Sequence, residues 1–221
     1  MSFYEVANKI DLLISKEPSP NEMRDLLYII RSDVSYLHYF FERVSDIYWF
    51  VALREAGYFN ADNNPKPSPA DQEGLYSIPQ WNVLPYLERV SQQVSKPGSE
   101  KYIADLLAII KDVSTYKNAI GQHIDNYRTW YYFAKILANL PTEKITKEII
   151  DLIPTWLDTK FSSSLPGREI TEKLLPKFLN SENSKDWEKA ERLIEIITEI
   201  KWVPLSEHKG ISIRETSKRA Q

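Results

Sequence analysis

A proline set among apolar residues occurs three times in segments that otherwise favour helix, and this phrase limits the fold more than any other feature. The phrases read Val83-Leu84-Pro85-Tyr86-Leu87, Leu152-Ile153-Pro154-Thr155-Trp156-Leu157 and Leu174-Leu175-Pro176-Lys177-Phe178-Leu179. A proline inside a helix removes a hydrogen bond and costs about 3 kcal/mol. Each phrase therefore predicts a helix start or a helix bend. Repeated units of this kind favour stacked helix pairs, whose function lies in the surface they present.

Apolar residues recur at helical spacing through most of the chain, and no segment shows the alternation of a strand. We therefore predict an all-α fold, a right-handed array of antiparallel helix pairs forming one domain over residues 1–205. Because the proline phrases are unevenly spaced, an irregular helical bundle is the alternative. Helices are predicted at about 2–15, 21–31, 34–44, 46–56, 80–95, 99–114, 118–139, 142–159 and 168–179, with a turn at 162–167 and a last helix opening at Ser184 or Asp186.

Two segments depart from the helical pattern. Residues 59–79 are rich in Asn, Asp and Pro and poor in apolar residues, which predicts a long loop that is either functional or a mobile insertion. Tyr76, Ile78 and Trp81 at its far end predict that the loop is pinned to the helical body. Residues 206–221 are polar and mildly basic, and they predict a tail or a linker.

The composition argues against several classes of protein. Without cysteine there is no disulfide, thiolate zinc site or cysteine nucleophile. The formal charge of −3 argues against a dedicated nucleic-acid binder, since such proteins usually carry a basic excess. Charges interrupt every apolar stretch well short of the roughly 20 residues that cross a bilayer. The first helix carries Glu5, Lys9 and Asp11, so we predict a cytoplasmic protein with no membrane association.

No glycine-rich phosphate loop, His-Glu-x-x-His motif or Gly-x-Ser-x-Gly motif is present, so we predict no enzymatic activity, cofactor or metal site. Polar residues do cluster on the predicted helix 118–139, where helical spacing would place Asp125 and Arg128 on one face as a surface pair. His123 would lie on the other face, where we predict that its side chain is partly buried and hydrogen-bonded to a neighbour. The cluster comprises His123, Asp125, Asn126, Arg128 and Trp130, and His123 and Trp130 would share their face with Tyr127.

The apolar-apolar-Pro-x-apolar phrase followed by a second amphipathic helix resembles the HEAT repeat, whose first helix is commonly bent at such a proline. The clearest unit covers 174–200 and a looser one 83–113, without the regular Asp and Arg positions of well-formed repeats. The resemblance implies a curved solenoid with partner-binding surfaces. HEAT-like DNA glycosylases hold a damaged nucleotide with Trp, Asp and Arg. Trp130, Asp125 and Arg128 therefore supply an alternative function, nucleic-acid binding or DNA base repair.

A second resemblance lies in Tyr48-Trp49-Phe50 through Gly57-Tyr58-Phe59, Asn64-Pro65, and Pro79-Gln80-Trp81 to Tyr86-Leu87. This arrangement looks like helical regions near the N-termini of large, multidomain bacterial proteins, where it accompanies nucleotide-binding or effector domains. The resemblance implies that the chain is a fragment of a larger bacterial protein, and that any catalysis belongs to other parts of it.

Aromatic residues make up 12% of the chain, with six Trp and 13 Tyr, which is more than a helical core needs. Exposed aromatic side chains in a cluster are typical of binding hot spots. We therefore predict a non-catalytic interaction or regulatory scaffold module that presents an aromatic surface to a protein partner. The candidate partner-binding residues are Trp49, Tyr58, Tyr76, Trp81, Tyr127 and Trp130.

Overall fold

The computed structural model describes residues 2–158 and 164–199, together with the backbone of 212–214. The described chain is mostly helical, which confirms the predicted helical fold. Its α-helices are α1 Phe3–Ile14, α2 Pro20–Ile30, α3 Val34–Arg43, α4 Trp49–Glu55, α5 Leu84–Ser91, α6 Lys101–Thr115, α7 Tyr127–Asn139, α8 Lys147–Ile150, α9 Ile153–Leu157, α10 Ser164–Glu169, α11 Leu175–Leu179 and α12 Ser184–Glu199. The 3₁₀ turns Ala61–Asn63 and Thr142–Lys144, a π-helical turn Ile170–Leu174 and the strands β1 Leu75–Ser77 and β2 Ser212–Arg214 complete the described elements.

Local sequence sets the ends of the first helices. Ser2 caps α1 in a capping box with Glu5, and Ser19 caps α2 in the same way with Glu22. Asp33 caps α3 through its carboxylate, as predicted. Gly57 follows α4 with a φ of +76°, a left-handed conformation that glycine adopts at little cost. These boundaries follow from side chains that satisfy the backbone groups a helix end leaves unpaired.

Two of the three proline phrases act as helix starts, and the third lies within a continuous helical run, Ser164 to Leu179. Pro85 and Pro154 each lie in the first turn of a helix, in α5 and α9. There the missing N–H is no loss, because first-turn N–H groups have no partner within the helix. Pro176 lies directly after the π-helical turn. Since proline cannot donate to the carbonyl one turn earlier, a wider turn at this point accommodates it.

The predicted helix over 118–139 is wrong in its first half, because the helix begins at Tyr127. The side chain of Asn118 accepts hydrogen bonds from the N–H groups of Ile120 and Gln122, which builds a turn in place of a helix. Gly121 completes that turn with a φ of +78°. Local polar side chains and a glycine thus override the apolar periodicity here.

Three further sequence-based boundaries need correction. The predicted helix 142–159 is two short helices, α8 and α9, and the predicted turn at 162–167 contains the start of α10. The predicted helix 80–95 is confined to Leu84–Ser91. Two three-residue strands are present where no strand was predicted. The predicted tail 206–221 lies outside the described residues except for Ser212–Arg214, which pairs with β1.

Helices contact their near neighbours in sequence. Helix α1 packs on α3, α3 on α5 and α5 on α7, while α2 packs on α1, α3 and α4. Further along, α7 packs on α9 and α10, and α12 packs on α8 and α11. One apolar core runs through these contacts, and its largest fully buried side chains include three tryptophans, Trp49, Trp130 and Trp156. None of the described helices has the length and apolar character needed to cross a bilayer.

Cations from neighbouring helices satisfy the carbonyl groups at helix C-termini. Arg89 of α5 donates from Nε to the carbonyl of Val44 at 3.0 Å, and its Nη2 donates to the carbonyl of Phe41 in the last turn of α3. Lys177 of α11 donates to the carbonyls of Ala138 and Leu140 at the end of α7. The carbonyl ends of helices attract positive charge, so each contact closes one helix and attaches another.

Asp186 and Lys189 form a buried ion pair at the start of α12. Lys189 Nζ lies 2.7 Å from Asp186 Oδ1 and donates to the carbonyl of Thr142, also at 2.7 Å. Ser181 Oγ donates to the other carboxylate oxygen at 2.7 Å. Burial opposes the charged form, but hydrogen bonds from Lys189, Thr142 and Ser181 outweigh it and hold the pKa of Asp186 at about 2. This pair attaches α12 to the preceding helices.

Replacing Arg89 with methionine should lower the free energy of unfolding by about 2–3 kcal/mol, because two carbonyls at the end of α3 lose a charged donor. Chemical denaturation of the full chain measures the change. Arg168 is the control, since its guanidinium is exposed and forms a surface pair with Glu172. The matched change at Arg168 should cost no more than about 0.5 kcal/mol. Equal effects of the two substitutions would contradict the assigned role of Arg89.

Acid should weaken the attachment of α12. The pKa of Asp186 falls from its ordinary value of 3.8 to about 2 in the folded chain, so the unfolded chain takes up the proton first. The ionised carboxylate therefore contributes about 2 kcal/mol of stability above pH 4, and this contribution is lost as pH falls toward 2.

Denaturation of the wild-type chain and Asp186→Asn across pH 2–7 measures this effect. The two free energies of unfolding should differ at pH 7 and converge near pH 2. The exposed carboxylate of Asp25 provides the control, and Asp25→Asn should follow the wild-type curve throughout. A constant gap between wild type and Asp186→Asn would show that the charge of Asp186 is not responsible.

Candidate functional site

Five of the six aromatic residues predicted to bind a partner are core residues. Trp49, Tyr58, Trp81, Tyr127 and Trp130 are between 0% and 7% exposed. A side chain with so little accessible area cannot supply the contact area of a hot spot. Tyr76, the sixth, is half-buried. The predicted aromatic surface is therefore not built from the five buried side chains in this fold.

Hydrogen bonds satisfy the polar ends of two buried rings, Tyr58 and Trp156. The hydroxyl of Tyr58 donates to the carbonyl of Leu27 at 2.6 Å, and burial raises the pKa of that hydroxyl. Trp130 stacks parallel to Trp156, with ring centroids 6.4 Å apart, and the Trp156 indole N–H donates to Ser114 Oγ at 2.9 Å. Tyr and Trp can enter a core when such a partner is available, so aromatic density alone was a poor guide to exposure.

The predicted polar cluster on residues 123–130 is not on one helix. His123 lies in the turn before α7, is exposed, and pairs through its backbone with Lys117 in an antiparallel bridge. The predicted partly buried His123 is therefore wrong. Asn126 is fully buried, and its side chain caps α7 by accepting from the N–H of Arg128 at 3.1 Å. Asn126 also links this group to the loop before α5.

Asn126 closes the base of the loop. Its Nδ2 donates to the carbonyls of Pro65 and Pro79, at 2.8 and 3.1 Å. Thr129, also buried, donates from Oγ1 to Asn64 Oδ1 at 2.8 Å. One turn of α7 thus contacts both ends of the 65–79 segment. Buried amides retain such bonds because an unpaired polar group in a protein interior costs about 1–3 kcal/mol.

The far end of the loop packs against α7, as the sequence predicted. Ile78 is fully buried and forms a small apolar cluster with Tyr127, on which Tyr76 also packs. Trp81 joins the main core. The segment just before α5 is therefore held by both apolar contacts and the Asn126 hydrogen bonds.

A groove between α2 and α4 has a volume of about 510 Å³. Its wall on α2 carries Met23, Leu27 and Tyr28, and its wall on α4 carries Val51 and Ala52. Tyr28 is 83% exposed and Val51 is 44% exposed. Large apolar side chains that stay this open beside a groove are typical of docking surfaces.

Hydrogen bonds from side chains hold the two walls of the groove together. Arg31 at the end of α2 donates to the carbonyl of Ala56 at the end of α4, and its guanidinium lies 4.8 Å from the ring centroid of Tyr58. The hydroxyl of Tyr48 donates to the carbonyl of Lys16. Burial raises the pKa of Tyr48. The groove is therefore a preformed feature of the α2–α4 pair.

The rim of the groove carries opposite charges on its two sides. Arg24 lies on the α2 side and Glu55 on the α4 side, and both are exposed. Sequence analysis missed this surface, although one signal was present. The buried face of α2 is formed by Leu26, Leu27 and Ile30. Tyr28 lies outside that face, so helical periodicity predicts that its large ring is exposed.

Comparison with protein-family models, curated protein sequences and solved structures finds no match for this chain. Among residues 2–158 and 164–199, no group of three or more His, Asp or Glu side chains is placed to hold a metal ion. The α2–α4 groove and the anchored loop are therefore assigned from geometry and chemistry alone.

Replacing Asn126 with alanine should release the loop and lower the free energy of unfolding by about 2–3 kcal/mol, because a helix cap and two buried hydrogen bonds are lost. Limited digestion with a glutamyl endopeptidase should then cut faster after Glu73, which lies inside the loop. The exposed Asn8 on α1 provides the control, and Asn8→Ala should leave the Glu73 cleavage rate near wild type. Unchanged cleavage in Asn126→Ala would contradict the anchoring role.

Proposed function

We propose that this chain is a non-catalytic interaction module, a HEAT-like stack of helices whose α2–α4 groove binds an amphipathic helix of a partner protein. The observation that carries the proposal is the preformed apolar groove, with Tyr28 and Val51 exposed on its walls. A partner helix inserting apolar side chains at i, i+3 or i+4 and i+7 is one of the recurring ways in which proteins recognise peptides.

The order of helix contacts supports a stack. Helices α1, α3, α5 and α7 contact one another in succession, as one layer of a two-layer array would. Helix α2 contacts α4 beside this row, as the second layer would. Contacts limited to near neighbours in sequence are expected of repeat proteins, and the right-handed HEAT-like arrangement predicted from the proline phrases is part of the proposal.

The dimensions and charges of the groove favour a helix as the occupant. Helix α2 has 11 residues, so it is about 16 Å long and offers room beside it for about three turns of a second helix. In the described part of the chain, Arg24 and Glu55 have no ion-pair partner. A partner helix with an acidic residue on the α2 side and a basic residue on the α4 side would complement both.

The buried position of Trp130 disfavours the nucleic-acid alternative. That alternative needs an accessible ring to stack on a base, and Trp130 is 1% exposed and stacked on Trp156. The interaction module is therefore the function that we propose, with a protein helix as the ligand.

A peptide-display selection of 15-residue amphipathic sequences against the full chain tests the proposal. Enriched peptides should carry the apolar i, i+3 or i+4, i+7 pattern, with an acidic residue positioned to reach Arg24. Val51→Arg should weaken their binding about tenfold or more, because it places a charge on the apolar wall. Titration of each peptide by fluorescence anisotropy measures the affinity.

Leu12→Arg is the matched control, because Leu12 is 62% exposed on α1 and lies outside the groove. Binding to this variant should stay within about twofold of wild type. Selected peptides that bind the wild-type chain and Val51→Arg equally well would place the binding surface elsewhere. Enrichment of extended sequences without helical periodicity would also overturn the helix-binding function.

A further inference from the structure

The inner edge of strand β1 is fully used by its own loop. Ser68 N–H donates to the carbonyl of Ser77 and Asp71 N–H to the carbonyl of Leu75, at 2.8 and 2.9 Å. In return, Ser77 N–H donates to Ser68 Oγ and Leu75 N–H to Asp71 Oδ1, both at 2.8 Å. The peptide groups of Leu75 and Ser77 therefore face the 68–71 segment.

The peptide groups of Tyr76 consequently face the opposite edge, since neighbouring residues in a strand direct their peptide groups to opposite sides. Strand β2 runs parallel along that edge, with Leu75 opposite Ser212, Tyr76 opposite Ile213 and Ser77 opposite Arg214. In a parallel ladder of this register, Tyr76 N–H donates to the carbonyl of Ser212 and Arg214 N–H donates to the carbonyl of Tyr76. The outer edge thus carries a main-chain ladder centred on Tyr76.

The edge is held rigid before any strand is added. Asn126 fixes the carbonyls of Pro65 and Pro79 on either side of β1, and Ile78 is fully buried beside Tyr127. An edge whose backbone is already ordered accepts an extended segment without the entropic cost of forming the strand. Addition of a strand to such an edge is a recurring mode of peptide recognition.

We propose that the outer edge of β1 is a strand-acceptor site for an extended polypeptide segment, and that the segment around Ser212–Arg214 of this chain is its occupant, bound as a reversible latch. Two parallel strands of three residues form only a few hydrogen bonds, and parallel pairing is slightly weaker per residue than antiparallel pairing. The latch is therefore exchangeable, and the same segment supplied as a separate peptide binds the emptied edge. This site is independent of the α2–α4 groove.

Proline substitutions in the full chain test the latch. Arg214→Pro removes the N–H that reaches the carbonyl of Tyr76, whereas Ile213→Pro removes an N–H that faces away from β1. Hydrogen exchange of the Tyr76 amide, followed by NMR, should be about tenfold faster in Arg214→Pro and within about twofold of wild type in Ile213→Pro. The amide of Phe133 in α7 reports whether the core is intact and should not change in either variant.

A peptide of residues 207–219 added to the Arg214→Pro chain tests exchange. It should restore protection of the Tyr76 amide, and a peptide N-methylated at the Ile213 position should do the same. A peptide N-methylated at the Arg214 position should fail, because methylation removes the N–H that the ladder needs. Equal exchange of Tyr76 in wild type and both proline variants would overturn the latch, and equal binding of the two methylated peptides would overturn the ladder.

Discussion

Three of the described helices, α3, α4 and α7, use cationic donors from other helices to complete their carbonyl ends. The chain contains six glycines, so few helices can end on a left-handed glycine as α4 does at Gly57. Arg89 and Lys177 instead donate to the last carbonyls of α3 and α7, and Arg31 adds a donor to the carbonyl of Ala56 at the end of α4. The ends of α3, α4 and α7 are consequently complete only when a neighbouring helix has packed on them, which couples secondary structure to packing.

This arrangement places charged groups in partly buried positions. Burial lowers the pKa of Arg89 and of Lys177, because a cation loses hydration when it enters a helix interface. Carbonyl dipoles at a helix end replace that hydration in part. Substitution by an apolar residue would remove the cost of burying the charge but would leave the carbonyl groups without a donor. The unpaired carbonyl groups are the larger of the two effects, so the substitution lowers the stability of the fold.

Sequence reasoning succeeded where one residue type has one structural consequence. Pro85 and Pro154 start helices because proline lacks a donor, and Asp33 caps α3 because its carboxylate reaches an N–H group. It failed where two signals competed. The apolar period across 118–126 favours helix, yet the side chains of Asn118 and Asn126 bind the backbone locally and prevent it. The α2–α4 groove depends on how two helices pack, and no single segment of sequence contains that information.

The Asn126 carboxamide has a topological consequence. By binding the carbonyls of Pro65 and Pro79, it brings the two ends of a 15-residue segment together. The positions of the helices before and after this segment are therefore independent of the sequence between its two ends. Lengthening the tip around Ala70 and Gln72 would cost the hydrogen bonds that Asp71 forms with residues 73–75. The larger ring itself would add only about 0.6 kcal/mol for each doubling of its length. The loop is in this respect a graft point, where a new sequence can be carried on the helical body without altering how that body packs.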